Sequence, residues 1–86
     1  VFDDFSKALA TRGHPTDLMV GEAIRRRRLE RRLTQSQLAE ALGIEVRLLA
    51  DYESGRKRAE AEHLRRIAAT LQTAIAAFFN TQVREQ

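Results

Sequence analysis

Two clusters of permanent positive charge dominate the chemistry open to this chain. Six arginines fall within Arg25–Arg32, and a second run, Arg56-Lys57-Arg58, follows Gly55. Guanidinium groups stay protonated at physiological pH and meet phosphate oxygens through paired hydrogen bonds. Clusters of this kind can hold a phosphate backbone, and the plain alternative is a pair of solvated helix faces. The net charge is only +3, so placement matters more than the total. Residues 1–19 sum to −1, whereas residues 20–79 hold twelve basic and eight acidic groups, or +4.

Other chemistries find little support. There is no cysteine, which removes disulfides and thiolate metal sites and fits a reducing compartment. His14 and His63 lie far apart and have no companions at metal-ligand spacing. No nucleophile–histidine pairing and no glycine-rich phosphate loop occur; Ser36 and Ser54 read as polar residues at a helix start and a helix end. The expectation is a protein that is not an enzyme and needs no cofactor. No apolar run approaches the roughly 20 residues of a membrane span, and Val1–Pro15 carries charges where a secretory signal would be apolar. A chain opening at Val1 rather than methionine is expected to be a piece of something longer.

The elements that must position the basic clusters are helical. Apolar residues recur at intervals of three and four between glycines, and no alternating stretch reads as a strand. Phe2, Phe5 and Leu9 form one face of a short N-terminal helix, capped by Asp3 or Asp4 and closed by Gly13-His14-Pro15. A second helix starts after Thr16 or Asp17, carries Val20, Ile24 and Arg28 inward, and reaches about Arg31. Gly21 inside it costs about 1 kcal/mol against alanine, which a closely approaching neighbour would explain. Thr34-Gln35-Ser36-Gln37 has capping-box spacing and starts a helix with Leu38, Ala39 and Leu42 inward, ending at Gly43. After a tight turn, Ile44, Leu49 and Tyr52 face inward on a helix that ends at Gly55. Leu64, Ile67, Ala68 and Leu71 form the stripe of a helix over about Glu60 to Gln72. Ile75, Phe78 and Phe79 then close the core, and Asn80–Gln86 frays. The expected fold is all-α, a compact bundle of about five helices with a short helical extension. Residues 1–16 form the extension, 17–79 the domain and 80–86 the tail, with a helix-turn-helix unit over about 34–54.

The residues Val20-Gly21, Ile24-Arg25, Arg28, Leu33-Thr34-Gln35, Leu38-Ala39, Leu42-Gly43, Tyr52-Glu53, Gly55, Leu64, Ile67-Ala68 and Leu71 carry a specific resemblance. Together they resemble the lambda-repressor-like, Cro/repressor or XRE-type helix-turn-helix family over residues 18–79. The resemblance implies a transcriptional regulator domain that binds duplex DNA through its third helix, about 45–54. It also implies a homodimer and a cytoplasmic, nucleoid-associated setting of bacterial or phage type. Arg28 and Glu53 occupy the family's partly buried ion-pair positions. Gln35 resembles the residue that meets a phosphate at a helix N-terminus, and Arg25, Arg56, Lys57 and Arg58 are placed for phosphates on either side of a groove. Arg26, Arg31 and Arg32 are read as ordinary solvent-facing charge.

The family's outward, base-facing positions fall on Glu45, Val46, Arg47, Leu48, Ala50 and Asp51, where this chain departs from the usual hydroxyl, amide and basic residues. Arg47 alone is a strong reader, able to donate twice to a guanine edge. Val46, Leu48 and Ala50 fit thymine methyls, and Asp51 fits a cytosine amino group or pairs with Arg47 four residues earlier. The usual cap hydroxyls of the third, fourth and fifth helices are replaced by Glu45, Glu60 and Ala76, the last of which is expected to let the final two helices merge. Three readings stay open: selective reading through Arg47, weakly selective backbone binding, or docking on another protein through Val46/Leu48 or the Phe2/Phe5/Leu9 face. The N-terminal segment and the Phe78/Phe79 turn are alternative dimer contacts.

Overall fold

His14 opens the first described helix. Its Nδ1 accepts a hydrogen bond from the Thr16 N–H at 3.3 Å, and Pro15 takes the first helical position, where a missing N–H leaves nothing unpaired. The computed structural model describes residues 14–79. The expectations for Phe2, Phe5 and Leu9 and for Asn80–Gln86 lie outside the described residues.

Helix α1 spans Pro15–Glu30, α2 Gln35–Leu42, α3 Val46–Ser54 and α4 Ala61–Leu71, and a 3-10 turn covers Ile75–Phe79. The described residues therefore form four α-helices and a short closing turn, with no strand among them. None of these helices is long and apolar enough to cross a membrane. Helix α1 starts two residues earlier than the sequence suggests, because Pro15 belongs to it. The capping box on α2 is complete: Gln37 N–H donates to Thr34 Oγ1 at 3.0 Å, and Thr34 N–H donates to Gln37 Oε1 at 2.9 Å. Glu45 and Glu60 flank α3 and α4 without a side-chain capping bond; their negative charge still suits the positive end of a helix.

All four helices stop in the same way. The N–H groups of Leu33, Ile44, Arg56 and Thr73 donate back to the carbonyls of Arg28, Ala39, Asp51 and Ala68, respectively. Each bond spans a residue in the left-handed region, as a Schellman motif requires. Two of those residues are glycines, Gly43 and Gly55, and two are Arg32 (φ 61°) and Gln72 (φ 57°). The turn at Gln72 keeps α4 separate from the 3-10 turn, which corrects the expected merger at Ala76. Arg31 is no free surface charge: it donates to the carbonyls of Leu71 at 2.8 Å and Gln72 at 3.2 Å, joining the end of α1 to the end of α4.

The core is assembled from the stripes of all four helices: Val20, Ala23 and Ile24 from α1, Leu38, Ala39 and Leu42 from α2, Leu49 and Tyr52 from α3, and Leu64, Ile67, Ala68 and Leu71 from α4. Phe78 closes it with no exposed surface, while Phe79 is 40% exposed and does not join it. Leu33, Ile44, Leu48, Ala59 and Ile75 pack around the rim of this cluster.

Gly21 fixes how closely α1 and α3 cross. A Cβ there would stand 2.3 Å from the Tyr52 carbonyl oxygen and 2.6 Å from that of Glu53. Gly21→Ala should therefore destabilise the fold by about 1–3 kcal/mol through overpacking, outweighing the roughly 1 kcal/mol that alanine gains in a helix interior. Urea unfolding measures this directly, and a more stable variant would show that the two helices have room to separate.

Candidate nucleic-acid interface

Glu53, in the last turn of α3, gathers three helices at one point. Arg28 of α1 donates to it twice, Nε to Oε2 at 2.7 Å and Nη2 to Oε1 at 3.0 Å, and a third Arg28 bond runs from Nη1 to the Leu33 carbonyl at 2.8 Å. Gln35, at the first position of α2, donates from Nε2 to Glu53 Oε1 at 3.0 Å. The Arg28 and Glu53 side chains are only 8% and 3% exposed. Two charges taken this far out of water are tolerable only because each finds several partners, and losing one partner strands the other.

This network holds the N-terminus of α2 beside the C-terminus of α3. Because the capping box satisfies Gln37 N–H, the first-turn amides of Gln35 and Ser36 have no partner within their own helix. They sit at the positive end of the helix dipole, where anions bind. Arg25 shares a helix stripe with Gly21 and Arg28, at positions i, i+4 and i+7. Gly21 touches α3 and Arg28 holds it, so Arg25, which is exposed, lies along the same junction.

The second basic cluster reaches the same end of α3. The Arg56 and Lys57 N–H groups both donate to the Asp51 carbonyl, at 3.0 and 3.3 Å, which curls the loop tightly over the helix end. Gly55 makes the curl possible: its φ is +82°, and a Cβ there would fall 2.5 Å from Leu18 Cδ2 of α1. Arg58 Nε then donates to Asp17 Oδ1 at 3.0 Å and fastens the loop to the first turn of α1. Arg56, Lys57 and Arg58 all remain exposed.

Leu49, Tyr52 and Glu53 are the buried side of α3. The opposite stripe, spaced i, i+3, i+4 and i+7, consists of Arg47, Ala50, Asp51 and Ser54. Arg47 is exposed, whereas Ala50 and Asp51 are partly covered. Leu48 departs from its outward assignment: it is half-buried and packs on the core, because its position on the wheel flanks Tyr52. Val46 stays 44% exposed. Arg47 forms no ion pair with Asp51, since the ion pairs of the described residues lie elsewhere. Ser54 is the polar helix-end residue that the sequence indicates, and its spacing of seven from Arg47 also puts it on the outward stripe. Its hydroxyl donates to the Asp51 carbonyl at 3.2 Å.

The histidines have local duties. His14 caps α1, and His63 Nδ1 lies 2.6 Å from the Tyr52 hydroxyl, linking α3 to α4. Burial pushes the Tyr52 phenol above its ordinary value of 10.0. Among the described residues there is no cluster of three or more metal-ligating side chains.

A family model described as helix-turn-helix matches residues 24–83. An HTH-type transcriptional regulator of Sinorhizobium medicae (strain WSM419) is 36% identical over 66 residues, covering 77% of this chain and 48% of that protein. A transcriptional regulator in the ATPase CF(0) region of Rhodospirillum rubrum is 37% identical over 67 residues, covering 78% of this chain and 62% of that one. The chain thus spans about half to three fifths of the length of these relatives. Among solved structures, the clp gene regulator ClgR from C. glutamicum superposes with a TM-score of 0.72 at 26% identity, over 83% of this chain and 96% of that one.

Removing either member of the buried pair, as Arg28→Met or Glu53→Leu, should cost about 3–5 kcal/mol, and the double variant should recover much of that loss. Chemical denaturation of the four proteins completes the cycle; additive losses would mean that the two charges do not depend on each other. A second expectation concerns pH. The folded phenol of Tyr52 keeps its proton longer than the unfolded one, so stability should fall as pH rises past about 10. Tyr52→Phe should lack that component of the alkaline decline, and identical pH profiles for the two proteins would contradict the assignment.

Proposed function

This chain belongs to the XRE-type helix-turn-helix family of transcriptional regulators, and we propose that it binds duplex DNA with α3 in the major groove. In this reading Arg47 reads a guanine edge, with Val46, Ala50, Asp51 and the exposed part of Leu48 completing the contact surface. The first turn of α2 at Gln35, together with Arg25, Arg56, Lys57 and Arg58, holds the phosphates on either side. The binding unit covers residues 17–79, with Pro15 and Thr16 adding the start of α1, and acts as a homodimer on a two-fold site.

The observation that carries the reading is the junction at Glu53. One carboxylate anchors both the α2 amide end and the last turn of α3, three residues before the basic loop. Arg47 lies six residues before Glu53, about 9 Å along the helix. A free amide end, a basic loop and an exposed guanidinium therefore surround a single short helix. Glu53 is saturated by Arg28 and Gln35 and does not face the polyanion as a free charge. The names of the relatives support a role in transcription and come from proteins longer than this chain. Docking on another protein through Val46 and Leu48 is the weaker reading, because Leu48 is half spent on the core.

Binding to random duplex DNA should weaken steeply with salt, each neutralised phosphate contributing about −0.9 to the slope of log K against log salt. Lys57→Ala should lower affinity alike for all sequences and make the slope shallower by about one phosphate. Arg47→Ala should cost about 1–3 kcal/mol at a selected site and relax preference at one base pair. Undetectable binding at low salt, with no response to alanine at Arg56, Lys57 and Arg58 together, would sink the proposal.

A further inference from the structure

Of the 15 lysines and arginines in the chain, Lys7 and Lys57 are the only lysines. Among the described residues Lys57 stands alone, and it falls in the loop proposed above to hold phosphates. The two kinds of side chain differ in more than shape. A guanidinium keeps its proton in a protein, whereas an ammonium can shed one and become a nucleophilic amine. The arginines of the candidate interface therefore carry fixed charge. Lys57 carries a charge that a covalent step can remove.

Its surroundings are built to meet an anion. Lys57 stands between Arg56 and Arg58, and all three are exposed. The Arg56 and Lys57 N–H groups are fixed to the Asp51 carbonyl at 3.0 and 3.3 Å, and Arg58 Nε is fixed to Asp17 Oδ1 at 3.0 Å. The Arg58 side chain is still 70% exposed. A guanidinium has five donors, so Arg58 retains capacity for another anion. Lys57 takes part in none of the ion pairs of the described residues, so no carboxylate among them holds its Nζ.

We propose that Lys57 is a site of acylation by acyl phosphates, assembled by Arg56 and Arg58; the inference rests on the reading of this loop as a holder of phosphate. In an acyl phosphate the anionic group is joined directly to the reactive carbonyl carbon. Guanidiniums that hold the phosphate therefore bring that carbon to the neighbouring amine. Lys57 first releases a proton to water, and the Nζ lone pair then attacks the carbonyl carbon. An amide bond forms, the C–O bond to phosphate breaks with its electron pair, and the second amine proton passes to the departing inorganic phosphate. The amide is neutral, so the loop loses one of its three charges. A thioester on a nucleotide carrier has its phosphates remote from the acyl carbon and gains nothing from this arrangement. The contacts that would hold a DNA strand thus recruit the reagent that weakens the hold.

The test is to incubate the full 86-residue chain with acetyl phosphate, with free Nα-acetyllysine in the same solution as a reference amine, and to follow acetylation by peptide mass spectrometry. Lys57 should react several-fold faster than the reference. Arg56→Gln, which leaves the Arg58–Asp17 bond in place, should bring its rate down toward the reference. Inorganic phosphate should do the same to the unaltered chain where chloride of equal ionic strength does not. The proposal is overturned if Lys57 reacts no faster than the free amine, or if its advantage survives either treatment undiminished. On duplex DNA, the acetylated protein should show a slope of log K against log salt shallower by about 0.9. Selective acetylation with an unchanged slope would uphold the acylation site and count against the loop's role in DNA binding.

Discussion

A guanidinium and a carboxylate that have both left water depend on each other, and the rest of this small structure is arranged around that dependence. Arg28 and Glu53 are 25 residues apart in sequence, yet removing either would leave the other as an uncompensated buried charge. Their pairing is directional, since a two-pronged Arg–carboxylate contact holds the partners in one relative orientation. It thereby sets the angle between α1 and α3, and Glu53 extends the constraint to α2 through Gln35. A hydrophobic pair of similar volume could hold the helices together equally well. It would not place the first turn of α2 at the end of α3, and that placement forms the candidate interface.

The helix ends complete the frame in a way that the helix interiors do not. Each of the four helices returns an N–H to the carbonyl five residues back, so the chain reverses within two or three residues and the loops stay short. The loops are also tied across the molecule. Arg31 binds carbonyls at the end of α4, Arg66 donates to the Leu42 carbonyl at 3.3 Å, and Arg58 binds Asp17. Part of the arginine content is thus consumed by the fold. The basic surface left for a partner is smaller than the count of charges suggests, with Arg25, Arg47, Arg56, Lys57 and Arg58 among its exposed members.

Helix interiors and one helix start were legible from spacing. The stripes Leu38, Ala39, Leu42 and Leu64, Ile67, Ala68, Leu71 follow from threes and fours, and Thr34 with Gln37 states its capping box outright. Periodicity placed the stops after α1 and α4 to within a residue, at about Arg31 and Gln72, although the left-handed residues there, Arg32 and Gln72, are not the glycines that usually announce such a stop. Phe78 and Phe79 look interchangeable in sequence; a 3-10 turn sends adjacent side chains in different directions, and only one reaches the core. Arg31 looked like surface charge because its partners lie forty residues away. For the candidate site, the resemblance pointed to positions and not to engagements. Nothing local indicates that Gln35 is already held by Glu53, that Arg58 is held by Asp17, or that Leu48 turns partly inward.

Gly21 and Gly55 bring α3 close against α1 at two points. One glycine presses α1 against the Tyr52 and Glu53 carbonyls, and the other seats the end of α3 on Leu18. Were α3 to enter a groove as proposed, two such close contacts would leave it little room to adjust its pitch to a duplex of different groove width. In a complex of the proposed kind, accommodation would fall on the nucleic acid, with bending or groove compression supplied by the base steps that yield most easily. Discrimination could then extend to base pairs that no side chain touches.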